Sequence, residues 1–85
     1  MKKYTYISIL TQDLECRGYC INFPDFTGCI TQGDNLADVY YMAHDTLELH
    51  LSDMLEDGDE IPKPTDLKDI KLEKGQYTMI VQVEV

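Results

Sequence analysis

The hydrophobic and polar positions of this chain alternate in its first part, shift to three- and four-residue steps in the middle and alternate again at the end, and each pattern predicts its elements. Residues Tyr4 to Gln12 are aromatic, β-branched or Thr-rich, and they alternate. Tyr4, Tyr6, Ser8 and Leu10 fall on one face while Thr5, Ile7, Ile9 and Thr11 fall on the other, so both faces are partly apolar, as in a central strand covered on two sides. A hairpin turn over Asp13 to Gly18 leads into a second strand, Tyr19 to Phe23, which Pro24-Asp25 ends by removing a backbone donor. Gly28 redirects the chain into a short third strand, Cys29 to Gln32, brief enough to be an edge.

Beyond Gly33-Asp34 the period lengthens. Leu36, Val39, Tyr40, Ala43, Leu47, His50, Leu51, Met54 and Leu55 recur at three- and four-residue steps and mark one face of a helix over residues 34–56. Asp34 or Asn35 supplies its N-cap and Gly58 its stop, while Asp38, Asp45, Glu48 and Ser52 occupy the solvated face. Pro62 and Pro64 keep the helix from resuming, and Thr65 to Ile70 reads as one helical turn capped by Thr65 or Asp66 and held by Leu67 and Ile70. The alternation then returns: Tyr77, Met79, Val81, Val83 and Val85 form the buried face of a last strand. A right-handed crossover through the helix sets this strand beside the first and parallel to it. The expected fold is α+β, a β-β-β-α-β two-layer sandwich with one long helix on a four-stranded mixed sheet.

The ordered string Phe23-Pro24-Asp25, Gly28-Cys29 and Gly33-Asp34, set just ahead of an amphipathic helix and followed by a late apolar strand, resembles the HicB-type antitoxin family. The resemblance runs from about Lys3 to Val85. It implies a truncated, partial ribonuclease H-like fold and a type II antitoxin that binds and neutralises a small basic partner. That partner is a HicA-type messenger RNA interferase with a double-stranded-RNA-binding fold and a catalytic histidine, whose RNA-binding and active site the antitoxin occludes. Many members continue into a DNA-binding segment; residues 1–85 are read as a single antitoxin domain without one.

Charge agrees with such a partner. Sixteen Asp and Glu against seven Lys and Arg give a formal net charge of −9, which argues against this domain binding nucleic acid and in favour of a basic protein counterpart. The amino terminus lacks the apolar core of a signal peptide, and no apolar run approaches the roughly 20 residues of a membrane span, so the expectation is a cytoplasmic protein with no membrane partner. Three cysteines, Cys16, Cys20 and Cys29, are an odd set better read as reduced thiols than as a disulfide framework.

Candidate chemistry is sparse. Metal-dependent nucleases of the ribonuclease H type need carboxylates on the first strand, and Lys3 through Gln12 contains none. The cysteines and histidines lack the paired spacing of a zinc site. Thiol catalysis finds no cationic or helix-terminal setting near Cys20 or Cys29, and Cys16 has only the neighbouring Arg17. Counting a calcium loop from Asp53 puts Leu55 at the third position and Pro64 at the twelfth, where ligands are required. No catalytic residue, metal or cofactor is therefore expected, and the protein reads as a binder, not an enzyme.

Two segments remain as partner-binding candidates. Asp53, Glu56, Asp57, Asp59 and Glu60 place carboxylates against the negative end of the helix dipole, where each costs about 0.3–1 kcal/mol, and would steer a basic partner. Phe23, Asp25 and Phe26 lie in the turn after the second strand, and Phe26 either plugs the core or stands out as a contact anchor. An apolar patch around Ile7, Ile9 and Ile80 on the outer sheet face suggests homo-oligomerisation as a dimer or tetramer. The alternative functions are a stand-alone oligomeric regulatory or interaction domain without a toxin partner, and an enzyme built on the thiols.

Overall fold

A computed structural model describes residues 1–13, 18–26 and 30–85, with the side chain of residue 13 left aside. Its elements run β1 (Lys3–Asp13), β2 (Gly18–Asn22), β3 (Ile30–Gly33), α1 (Leu36–Asp57), a 3-10 turn (Leu67–Asp69) and β4 (Gln76–Glu84). The hairpin turn between β1 and β2, Cys16, Gly28 and Cys29 at the expected start of β3 lie outside the described residues.

The four strands make one sheet in the order β3-β2-β1-β4, with α1 across one face. β1 lies between β2 and β4, as expected of a central strand, with the helix over one of its two faces, and β3 is an edge. Every pairing is antiparallel. This corrects the expected mixed sheet: β4 lies beside β1, but Lys3 pairs with Glu84 and Thr11 with Gln76, so the two strands run in opposite directions. The length of the connection permits this reversal. A crossover that returned directly from the helix would enter β4 parallel to β1. Here eighteen residues, 58–75, separate α1 from β4. Extended, they can span up to about 60 Å, nearly twice the roughly 33 Å rise of a 22-residue helix. The segment therefore travels back along the molecule and delivers Gly75 to the far end of β1, where its carbonyl accepts from the Gln12 N–H at 3.3 Å.

α1 begins as its cap dictates. Asn35 is extended (φ −146°, ψ 175°), its side-chain oxygen accepts from the Asp38 N–H at 3.0 Å, and its amide donates to the Asp38 carboxylate at 3.3 Å. At the other end Gly58 takes the left-handed conformation (φ 75°), its N–H bonding the Leu55 carbonyl while the Asp59 N–H reaches back to that of Met54 at 2.9 Å, which is the Schellman arrangement. Only part of the apolar stripe is buried. Val39, Ala43, Leu47 and Leu51, spaced by four, form the line of contact with the sheet. Leu36, Tyr40 and Leu55 are exposed, because a helix on a four-stranded sheet buries a narrow face and overhangs at its ends.

The core sits between that line and the inner sheet face: Tyr6 and Leu10 from β1, Ile21 from β2, Val81 and Val83 from β4. Full burial of Leu47 or Leu51 contributes about 1.5–3 kcal/mol each. Ser8 lies between Tyr6 and Leu10 with no exposure, and its hydroxyl donates to the Met79 carbonyl at 2.9 Å, so a buried polar atom is satisfied across the β1–β4 ladder. Close approach also fixes Gly33, where any Cβ would stand 2.8–2.9 Å from the backbone and side chain of Val39. On the outer face Ile80 is exposed and Ile9 half-buried, whereas Ile7 is buried, so the expected uncovered patch is smaller than its three residues suggest.

Candidate functional site

The last two turns of α1 place His50, Asp53, Met54 and Asp57 at i, i+3, i+4 and i+7, on one face. The Gly58 turn folds the chain back so that Asp59, Glu60 and Pro62 follow, and the turn after β2 supplies Asp25 and Phe26 from the opposite side. Together these residues line an open cleft of about 500 Å³. Its floor is apolar, with Phe26 buried and Met54 and Pro62 half-buried, and its rim carries the exposed carboxylates of Asp53, Asp57, Asp59 and Glu60.

An aromatic stack that includes the floor fixes the geometry. The Phe26 ring meets Tyr6 edge-on at 4.6 Å and 67°, and His50 at 5.2 Å and 70°. The Tyr6 hydroxyl donates to the Pro62 carbonyl. Burial, then the charge of Asp25, then Tyr4, hold its pKa above the ordinary tyrosine value. Asp25 itself is half-buried and occupied: one carboxylate oxygen accepts from the Thr65 N–H at 3.1 Å and the other from the Thr65 hydroxyl at 2.5 Å.

The structure thus brings both sequence-predicted segments to one place, with changes of role. Phe23 and Phe26 are core residues, at 1% and 4% exposure, so of the two alternatives left open for Phe26 the structure takes the core plug. A tight turn in which the Phe26 N–H bonds the Phe23 carbonyl at 3.0 Å folds the second ring inward onto Tyr6. Phe26 is the cleft floor; Phe23 does not line it. Glu56 is exposed but belongs to another face of the helix. Of the two expected caps of the 3-10 turn, Asp66 holds the N-cap position without a side-chain capping bond, and the Thr65 hydroxyl goes to Asp25 instead. The lining residues that the sequence reading did not assign to a site are His50, Met54 and Pro62. Their signal was present in the helical spacing of His50 and Met54 to Asp53.

A second exposed surface follows the upper part of α1, where Tyr40 meets Tyr41 edge-on at 6.0 Å and stacks on His44 at 6.3 Å. His44 is half-buried, with Nδ1 3.6 Å from Glu48 and 3.7 Å from Asp45. Cys20 is a half-buried thiol on β2. Among the described residues no three His, Cys, Asp or Glu side chains converge as metal donors, and no helix is long and apolar enough to cross a membrane.

The sequence model for the HicB-like antitoxins of bacterial toxin-antitoxin systems matches residues 6–85. The chain belongs to the HicB-like antitoxin family. As a HicB-like chain it is similar in fold to three solved structures. One is a chain of a toxin-antitoxin complex from Streptococcus pneumoniae, with TM-score 0.88 and 21% identity over 98% of this chain and 70% of that one. Another belongs to a HicA3 and HicB3 toxin-antitoxin complex, with TM-score 0.68 and 23% identity over 92% and 95% of the two chains. The third is the N-terminal domain of the Burkholderia pseudomallei antitoxin HicB, with TM-score 0.77 and 14% identity over 96% and 100%. At these identities the likeness is one of fold. A curated relative from Haemophilus phage HP1, an uncharacterized 14.9 kDa protein of the rep-hol intergenic region, is 39% identical over 46 residues. That match takes in 54% of this chain and about a third, 35%, of the phage protein.

Proposed function

We propose that this HicB-like chain is the antitoxin of a type II pair and neutralises a small basic HicA-type messenger RNA interferase by covering its RNA-binding and catalytic surface. The observation that carries the reading is the family match across residues 6–85. The acidic cleft is compatible with it: an RNA-binding toxin presents Lys and Arg to phosphates, and the rim of Asp53, Asp57, Asp59 and Glu60 offers carboxylates to the same cations. In this reading the protein acts by shape and field without catalysis, and the exposed rim acids and Glu56 accelerate encounter.

Co-expression with a small basic HicA-type protein, co-purification and an RNA-cleavage assay test the pairing. Charge reversal at Asp53, Glu56, Asp57, Asp59 and Glu60 should lower the association rate and flatten its dependence on salt. An unchanged rate with an unchanged salt slope removes the steering role. A second reading, self-association through the outer sheet face as an oligomeric interaction domain, rests on the exposure of Ile30 and Ile80 there.

A further inference from the structure

We infer that the cleft at the helix end is a receptor for a single arginine side chain of the basic partner, an assignment that rests on the antitoxin reading and names what enters the site. The floor is the independent observation. Phe26, Met54 and Pro62 form an apolar bed set below the carboxylates, so the site is layered: apolar at depth, anionic at the mouth. A metal ion or a bare ammonium uses only the mouth. An arginine uses both layers, its methylene stem lying on the bed while its guanidinium meets the rim. No lysine or arginine lies among the described residues lining the cleft, so the rim charge is not neutralised from within.

Arginine fits better than lysine for a geometric reason. The rim acids are borne by two segments, Asp53 and Asp57 by the end of the helix and Asp59 and Glu60 by the chain after Gly58. A planar guanidinium presents its donors as a fork and can bond carboxylates on two sides, and its weaker hydration makes the passage onto an apolar bed less unfavourable. A volume of about 500 Å³ accommodates the side chain together with part of the turn that bears it. The preformed aromatic stack of Tyr6, Phe26 and His50 keeps the floor rigid, which reduces the ordering that binding would require.

The test uses the isotopically labelled 85-residue chain and three small probes: the blocked amides of arginine, lysine and norleucine. Arginine amide should bind weakly but saturably, with NMR shifts concentrated at Phe26, His50, Asp53, Met54 and Asp57. Lysine amide should bind less tightly and norleucine amide should leave those signals in place. Met54→Ala and, separately, Asp57→Asn should each weaken arginine binding about two- to fivefold, whereas Asp45→Asn on the outer helix face should leave it unchanged. Shifts scattered over the surface, equal response to norleucine, or a response at the cleft to Ca²⁺ with none to arginine would each overturn the inference. Because the probes need no toxin, failure of the pairing assay with arginine binding intact counts against the antitoxin reading alone, and the reverse counts against the cleft alone.

Discussion

Asp25 stands among the acids read from the sequence as a partner contact, yet its two oxygens are already spent on Thr65, so its substitution should act first on stability. The pair closes a span of forty residues, tying the turn after β2 to the segment that returns from the helix. Hydrogen bonds to a charged acceptor are worth about 1.5–3 kcal/mol when buried, and the partial exposure of this pair argues for about 1.5–3 kcal/mol for the two together. Asp25→Ala should therefore lower Tm by roughly 6–24 °C, taking about 4–8 °C per kcal/mol for a domain of this size. Thr65→Val deletes only the hydroxyl bond and should cost about 1 kcal/mol. In a double-mutant cycle followed by urea unfolding, the pair should show a coupling of about 1 kcal/mol. A Tm for Asp25→Ala within the error of the parent, with no coupling to Thr65, would refute the tether and return Asp25 to the rim as a free acid. The distinction bears on any binding experiment, since the tether joins the turn that bears Phe26 to the segment that bears Pro62, both of which line the cleft.

Gly33→Ala should destabilise by about 1–3 kcal/mol, since its new methyl meets the Val39 backbone, which belongs to the helix and cannot rotate away; thermal unfolding reads this directly. Stability should fall as pH rises above about 10, because the unfolded chain releases the tyrosine proton at its ordinary value while folded Tyr6, its pKa raised by burial, retains it. Tyr6→Phe should remove that part of the alkaline slope and cost about 0.5–1.5 kcal/mol at neutral pH through the lost bond to Pro62; an identical alkaline limb in the variant would assign the slope to other groups. If the outer sheet face mediates self-association, Ile80→Lys should shift the sedimentation coefficient towards the monomer with Tm little changed, and a parent that sediments as a monomer at high concentration removes that reading.

Much of the architecture was legible because it depends on local periods. The alternation in Tyr4 to Gln12 and Tyr77 to Val85, the three- and four-residue steps from Val39 to Leu51, and the stop at Gly58 each report one element's own geometry, and the elements appear within about two residues of where those patterns put them. The motif Phe23-Pro24-Asp25 and Gly33-Asp34 carried the family, because such turns need those residue types in that order. The acids at the helix end were equally visible, since net charge and helical spacing survive without knowledge of what faces them.

What the chain's pattern could not decide is what the returning segment does. Residues 58–75 have no period, and whether they lead into a parallel or an antiparallel β4 depends on where Tyr6, Thr65 and Gly75 find partners across the molecule. The same contacts convert Asp25 from a surface acid into a tether and bring Pro62 beside Met54 under a carboxylate rim, where Phe26 packs inward on Tyr6. Sequence alone determines local geometry and charge, because both are properties of neighbouring residues; strand direction, burial of a loop aromatic and the cleft itself arise only when distant segments compete for the same hydrogen bonds and the same apolar surface.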